Sequence, residues 1–194
     1  MDTMTPLEQA FAAIDAANAR DPGREGGEPA ALLYGRHMTE EQRRLHPHAS
    51  EPLQIACRGQ HVERWLLPRA SFPEGRAGYL AWRREQGRRH AERVMGIMRA
   101  AGYAEAEAEA AGRMLRKEGI KRDPEVQALE DVACFTFIRH HLGDFATTQE
   151  PEAMLRIVEK TARKMSPAAR GRALVEFPMP EPFAAAFRAG DEPG

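Results

Sequence analysis

The chain has 194 residues, 42% hydrophobic and 29% charged, with a formal net charge of -1. That balance is globular and excludes a global electrostatic drive toward nucleic acid, so nucleic acid is not expected as a partner. No apolar run approaches the roughly 20 residues of a membrane helix, and the opening MDTMTPLEQAF lacks the basic start and apolar core of a secretory leader. A cytoplasmic protein without a membrane partner is expected.

The length suits one domain spanning 1–194, with a loop near 20–30 and a flexible tail near 188–194. Strand signals are almost absent: there is no sustained alternation of β-branched or aromatic residues, and no Asn-Gly or Asp-Gly turn. The expected fold is therefore all-α. Leu7, Ala10, Phe11, Ile14 and Ala17 recur at helical spacing over 6–19, and Asp21-Pro22-Gly23 ends that helix. A Gly- and Pro-rich loop runs through Pro29, and Leu32, Leu33, Tyr34 and Met38 mark a short helical element ending near Pro47. Ser50 reads as an N-cap, with Glu51 and Pro52 in the first turn, of a helix running to about Leu67. Its apolar face of Leu53, Ile55, Ala56 and Cys57, projected forward by threes and fours, brings Gln60, His61 and Arg64 beside the buried stripe.

A long helix is expected from about Arg76 to Ala101, closed by Gly102, with an inward stripe of Tyr79, Leu80, Arg83, Gln86, His90, Val94, Ile97 and Met98. A helix over 104–117 follows, its Ala/Glu alternation forming a solvated face. Asp123-Pro124-Glu125 then opens a helix that is apolar on nearly every side from Leu129 to Ile138, which places it centrally. Glu130 and Asp131 lie in that run, where an unpaired carboxylate costs several kcal/mol unless a cation answers it. A helix over 152–165 and a Pro-rich tail with an apolar patch from Phe183 to Phe187 complete the chain. Cys57 and Cys134 both sit amid apolar helix residues, which argues for core packing and against a disulfide framework or thiolate zinc site.

Four segments thus send polar groups toward one core: Tyr34 and His37, Gln60 with His61 and Arg64, Arg83 with His90, and Glu130 with Asp131. Helical bundles assemble metal sites in this way. Nitrogen and oxygen donors without thiolates suit a divalent manganese, iron, magnesium or zinc ion.

Two resemblances bear on this pattern. Asp131 on an apolar helix, and Gln60-His61 ahead of it, resemble the HD-domain superfamily of metal-dependent phosphohydrolases, whose helices supply histidines, an adjacent His-Asp pair and a late Asp. This chain departs from that pattern, with Tyr34 where the first histidine is expected, Gln-His in place of His-Asp, and Lys117 where some members have a further histidine. A broader resemblance, carried by AFAAIDAANARDP, QHVERWLLPR, RAGYLAWRREQGRRHA, LEDVAC and RKMSP, is to a family of domains of unknown function, DUF4202. Some relatives carry a glutamyl-tRNA-synthetase-like label, but Lys164-Met165-Ser166 stands here without a βαβ pattern or a nucleotide-binding motif and is not read as one.

The HD resemblance implies a compact helical bundle in which His61, His90 and Asp131 hold the metal. The ion would lower the pKa of bound water and polarise a phosphoryl oxygen, Glu130 would orient that water, and Lys117 would assist the catalysis. Arg64, Arg69, Arg76 and Arg83, with Gln60 and Tyr34, would bind a phosphorylated small molecule or nucleotide, since guanidinium groups match oxyanions in a bidentate way. The alternative is a catalytically silent module of the same shape that holds an anionic ligand or a protein partner. His61 by itself also reads as a core-edge histidine bonded to a carboxylate, and Arg83 as a structural ion-pair partner.

Overall fold

The structure, a computed structural model, describes residues 4–189. These are all-α apart from one two-residue hairpin, and no helix among them is long and apolar enough to cross a membrane. They group into two compact units, one up to Ile120 and one from Lys121 onward.

In the first unit, α1 (Pro6–Asn18) starts on a reciprocal cap in which Thr5 Oγ1 accepts from the Glu8 amide while the Glu8 carboxylate accepts from the Thr5 amide. The expected loop near 20–30 contains a hairpin, β1 (Arg24–Glu25) against β2 (Glu28–Pro29). Its turn is Gly26-Gly27, with φ of 57° and 86°, so a pair of glycines supplies the left-handed backbone that Asn-Gly would otherwise provide. Asp21 fastens this loop to the next helix by accepting from the amides of Gly23 and Ala31, each at 2.8 Å.

Three helices then share one ionic clasp. On α3 (Glu51–Arg58), the Arg58 guanidinium donates from Nε to Asp15 Oδ1 at 2.8 Å and from Nη2 to Asp15 Oδ2 at 2.6 Å. It also reaches Thr39 Oγ1 on α2 (Ala30–Leu45) at 3.2 Å. This fork joins α1, α2 and α3, and its partial burial protects it from solvent screening.

The helix expected to reach Leu67 stops at Arg58, with Gly59 at its C-cap. A Cβ on Gly59 would meet Val94 Cγ2 at 2.5 Å, so only glycine lets α4 (Gly75–Ala100) pack here. The chain from Gln60 onward is a series of turns, with Glu63 in the left-handed region at φ 52° and a single 3-10 turn over Arg64–Leu66. His61 and Arg64 accordingly stand on a loop, and the forward projection of the α3 stripe does not place them.

The buried stripe of α4 also differs from expectation in its first turns. Gly78 and Trp82 face inward there, while Tyr79 and Leu80 are 42% and 48% exposed. Gly78 passes so close to the preceding loop that a Cβ would lie 1.9 Å from the Pro73 carbonyl oxygen. From Gln86 on, the expected residues Gln86, His90, Val94, Ile97 and Met98 are buried. α5 (Glu105–Leu115) closes the unit by laying Ala108, Ala111, Met114 and Leu115 into its core.

The second unit begins at α6 (Pro124–His140), capped by Asp123, whose Oδ1 accepts from the amides of Glu125 and Val126. As its all-round apolarity predicts, α6 is central: Leu129, Val132, Phe135 and Ile138 are buried along with Glu130 and Asp131. Around it lie α7 (Leu142–Thr148), α8 (Pro151–Lys164), α9 (Pro167–Glu176) and α10 (Glu181–Ala189). The apolar patch from Phe183 to Phe187 is α10, with Ala184 and Phe187 buried. The expected flexible tail begins inside this helix at Arg188 and Ala189, and beyond them it lies outside the described residues.

Candidate functional site

A cleft of about 650 Å³ opens in the first unit between the 60–64 loop, the middle of α4 and the end of α5. Its cationic wall is Arg64, Arg83, Arg84, Arg88, Arg116 and Lys117, and Gln60, His61 and His90 also line it.

The loop is held open by α4. Gln86 is buried and spends its amide on the backbone opposite, donating from Nε2 to the carbonyls of Arg64 at 2.9 Å and Leu67 at 3.0 Å. Trp82 Nε1 donates to the same Leu67 carbonyl at 2.9 Å. On the other side Asn18 Oδ1 accepts from the Glu63 amide at 3.0 Å, and Arg93 pairs with the Glu63 carboxylate. These anchors stabilise the left-handed backbone at Glu63, a conformation that costs energy in a residue with a Cβ.

The arginines of the cleft fall into two kinds. Arg88 is clasped by Glu85 and Glu92, which raise its pKa, and Arg116 by Glu118 and Glu109, so their charge is already answered. Arg64, Arg83 and Arg84 have no carboxylate partner among the described residues. Arg64 instead stacks its guanidinium 4.7 Å from the Trp82 ring, and Arg83 lies 5.8 Å from the Tyr79 ring. Burial lowers the Arg64 pKa, and the Arg83 charge lowers it further against an opposing influence from Tyr34. Like charges held this close without a counter-charge favour an anion.

His61 lies nearly parallel on the Tyr34 ring, with centroids 3.9 Å apart and planes inclined by 12°. The His90 ring is 6.2 Å from the His61 ring. His90 is 5% exposed, and its Nε2 has no hydrogen-bond partner among the described residues. Burial, aided by the charges of Arg64 and Arg89, pushes its pKa down to about 3, so the imidazole is neutral near pH 7.

A second depression, lined by Val62, Glu63, Glu85, Arg88, Arg89, His90, Glu92 and Arg93, shares His90. There Arg88 is answered by Glu85 and Glu92 and Arg93 by Glu63, which leaves Arg89 as the cation without a carboxylate partner among the described residues. Uncompensated charge is concentrated in the larger cleft.

Of the residues expected at a site, Gln60, His61, Arg64, Arg83, His90 and Lys117 line this cleft, and Tyr34 supports it through His61. Arg69 is used elsewhere, donating to the carbonyl oxygens of Phe72 at 3.0 Å and Gly75 at 3.4 Å, which shapes the turn before α4. Arg76 is exposed and is not part of the cleft wall. Arg84, Arg88 and Arg116 belong to the wall but were not among the expected binding residues. The pairs Arg83-Arg84 and Arg88-Arg89 are the available signal for the first two; nothing in the local sequence marks Arg116.

Glu130 and Asp131 belong to the second unit, both buried on α6. Asp131 accepts from the Ser166 amide at 2.7 Å and from Gln127 Nε2 at 3.0 Å through Oδ1, and from Ser166 Oγ at 2.6 Å through Oδ2. Ser166 in turn caps α9 by accepting from the Ala169 amide. Asp131 therefore fastens the start of α9 to α6, and the Ser166 of Lys164-Met165-Ser166 is a helix cap.

The donor set does not fit a divalent metal ion. The cleft offers two imidazoles with a guanidinium beside them in place of a carboxylate, and its acid, Glu118, is committed to Arg116. Among the described residues no three His, Cys, Asp or Glu side chains are grouped as they would be around a metal. Of the expected metal ligands, His61 and His90 line the cleft of the first unit, while Asp131 belongs to the second unit, where Ser166 and Gln127 engage its carboxylate.

Fold and cleft together define the class: an all-α protein whose first unit carries a cation-lined cleft over a buried neutral histidine. The chain belongs to the family described as Domain of unknown function (DUF4202), whose model matches residues 8–186. No curated protein and no solved structure matches it.

Proposed function

We propose that the cleft of the first unit binds a phosphorylated small molecule or nucleotide, and that the chain acts as a ligand-binding module without turnover. The observation that carries this reading is the convergence of Arg64, Arg83 and Arg84 without a carboxylate among them. Planar guanidinium groups of this kind hold phosphate oxygens by paired, charge-assisted hydrogen bonds. The cleft volume of about 650 Å³ falls within the roughly 300–1,000 Å³ of small-molecule sites. Cys57 and Cys134 are buried as thiols and are not joined in a disulfide, which supports a reducing, cytoplasmic setting.

Metal-dependent phosphohydrolysis, the activity that the HD resemblance implies, is the reading to test against it. It would assign Asp131 to the metal, Glu130 to the attacking water and Lys117 to the catalysis. Titration calorimetry with phosphate monoesters at low ionic strength, and a phosphatase screen over nucleotides with and without manganese, separates the two. Binding that weakens at least tenfold in Arg83→Gln/Arg84→Gln, with no turnover, is expected. Manganese-dependent release of phosphate would overturn the binding-only reading, and the absence of binding would overturn both the site and its ligand class.

A further inference from the structure

The arginines of the cleft account for a phosphate group and leave His90 unexplained. It is 5% exposed, lines the same cleft and has Nε2 without a hydrogen-bond partner. A buried polar atom in that condition is costly and calls for a partner. The identity of that partner follows from the chemistry that would satisfy the atom. An ammonium or guanidinium group would meet the charges of Arg64 and Arg89 beside the ring. A phosphate or carboxylate oxygen only accepts, so it requires a proton at Nε2. A hydroxyl group both donates and accepts, and it satisfies Nε2 whichever tautomer the imidazole holds. The cleft volume, far beyond what a bare phosphate fills, leaves room for such a group alongside the phosphate.

Resting on the phosphate-binding reading above, we infer that His90 is the specificity-determining residue of the cleft and selects a hydroxyl-bearing phosphate monoester, a sugar phosphate, by hydrogen-bonding a ligand hydroxyl at Nε2. Arg64, Arg83 and Arg84 supply the attraction for the phosphate, and His90 supplies the preference among esters. Gln60 and His61 complete the polar wall around the sugar. His90 is held for this role by α4, between Gln86, which anchors the opposite loop, and the core residue Val94.

Calorimetric titration of the full chain with ribose 5-phosphate, methyl phosphate and inorganic phosphate tests the inference. Ribose 5-phosphate is expected to bind about tenfold more tightly than methyl phosphate, the value of one well-made hydrogen bond. His90→Leu should lower ribose 5-phosphate affinity about tenfold, well beyond any change for methyl phosphate, so that the two ligands become equivalent. His90→Gln, which keeps a hydrogen-bonding end, should recover part of the preference. Arg83→Gln should weaken all three ligands alike. Equal affinity of the two esters for the unmodified chain, or a preference that survives His90→Leu, overturns the inference and leaves the phosphate site standing. Failure of all three to bind overturns the site itself.

Discussion

Replacing His90 by leucine should make the protein more stable. The imidazole is 5% exposed, and Nε2 has no partner, an arrangement that costs about 1–3 kcal/mol relative to a side chain with nothing to satisfy. Leucine is of similar size and a better helix former by a few tenths of a kcal/mol. The gain should also depend on pH. The folded chain holds the His90 pKa near 3 against an ordinary value of 6.5. As the pH falls through 6.5 the unfolded chain takes up a proton that the folded chain refuses, and His90 then destabilises the fold by about 1.4 kcal/mol per pH unit. Other acid-sensitive groups are common to both proteins and cancel in the difference. Urea unfolding in phosphate-free buffer should therefore show His90→Leu ahead by about 1–3 kcal/mol at pH 7.5, with the margin widening by about 2 kcal/mol at pH 5. A variant that is less stable at pH 7.5, with the same margin at both pH values, would refute the reasoning and mark His90 as a satisfied core residue.

Two further substitutions probe the frame around the site. Gly78→Ala puts a methyl group against the Pro73 carbonyl oxygen at 1.9 Å and should destabilise by about 1–3 kcal/mol or more; Gly96→Ala on the same helix meets nothing within 4 Å and should stabilise by about 0.8–1 kcal/mol. Urea midpoints of the pair measure both, and a harmless Gly78→Ala would show that the start of α4 is not held by that close approach. Asp131→Asn leaves a single carbonyl oxygen to accept what two carboxylate oxygens accept from Ser166 and Gln127, and it should cost about 1.5–3 kcal/mol. Unchanged stability together with loss of bound manganese would instead identify Asp131 as a metal ligand.

Much of this molecule is legible in its sequence because helix signals are local. Ser50, Asp123-Pro124 and Gly102 each announce a helix end through bonds made within a few residues. The all-round apolarity of 129–138 likewise identifies α6 as central. What fails is extrapolation past a break. Gly59 reads as one more helical residue until Val94, 35 positions on, is seen to occupy the space a Cβ would need. With α3 ended there, His61 and Arg64 reach the cleft by way of a loop pinned by Asn18, Trp82 and Gln86, contacts that no periodicity encodes. Asp131 shows the same limit in another form. A buried acid invites a metal or an arginine, but its answer is a backbone amide and a hydroxyl at Ser166, 35 residues away. Sequence distinguishes a buried carboxylate from an exposed one more readily than it names the group that satisfies it.

The stacking of Arg64 over Trp82 makes the cleft a source of its own optical signal. Indole emission responds to a positive charge over the ring, so a ligand that draws the guanidinium toward itself changes the fluorescence of a residue it never touches. The chain has two tryptophans, and the other, Trp65, sits in the adjacent 3-10 turn. With Trp65→Phe, a single emitter reports occupancy without a label.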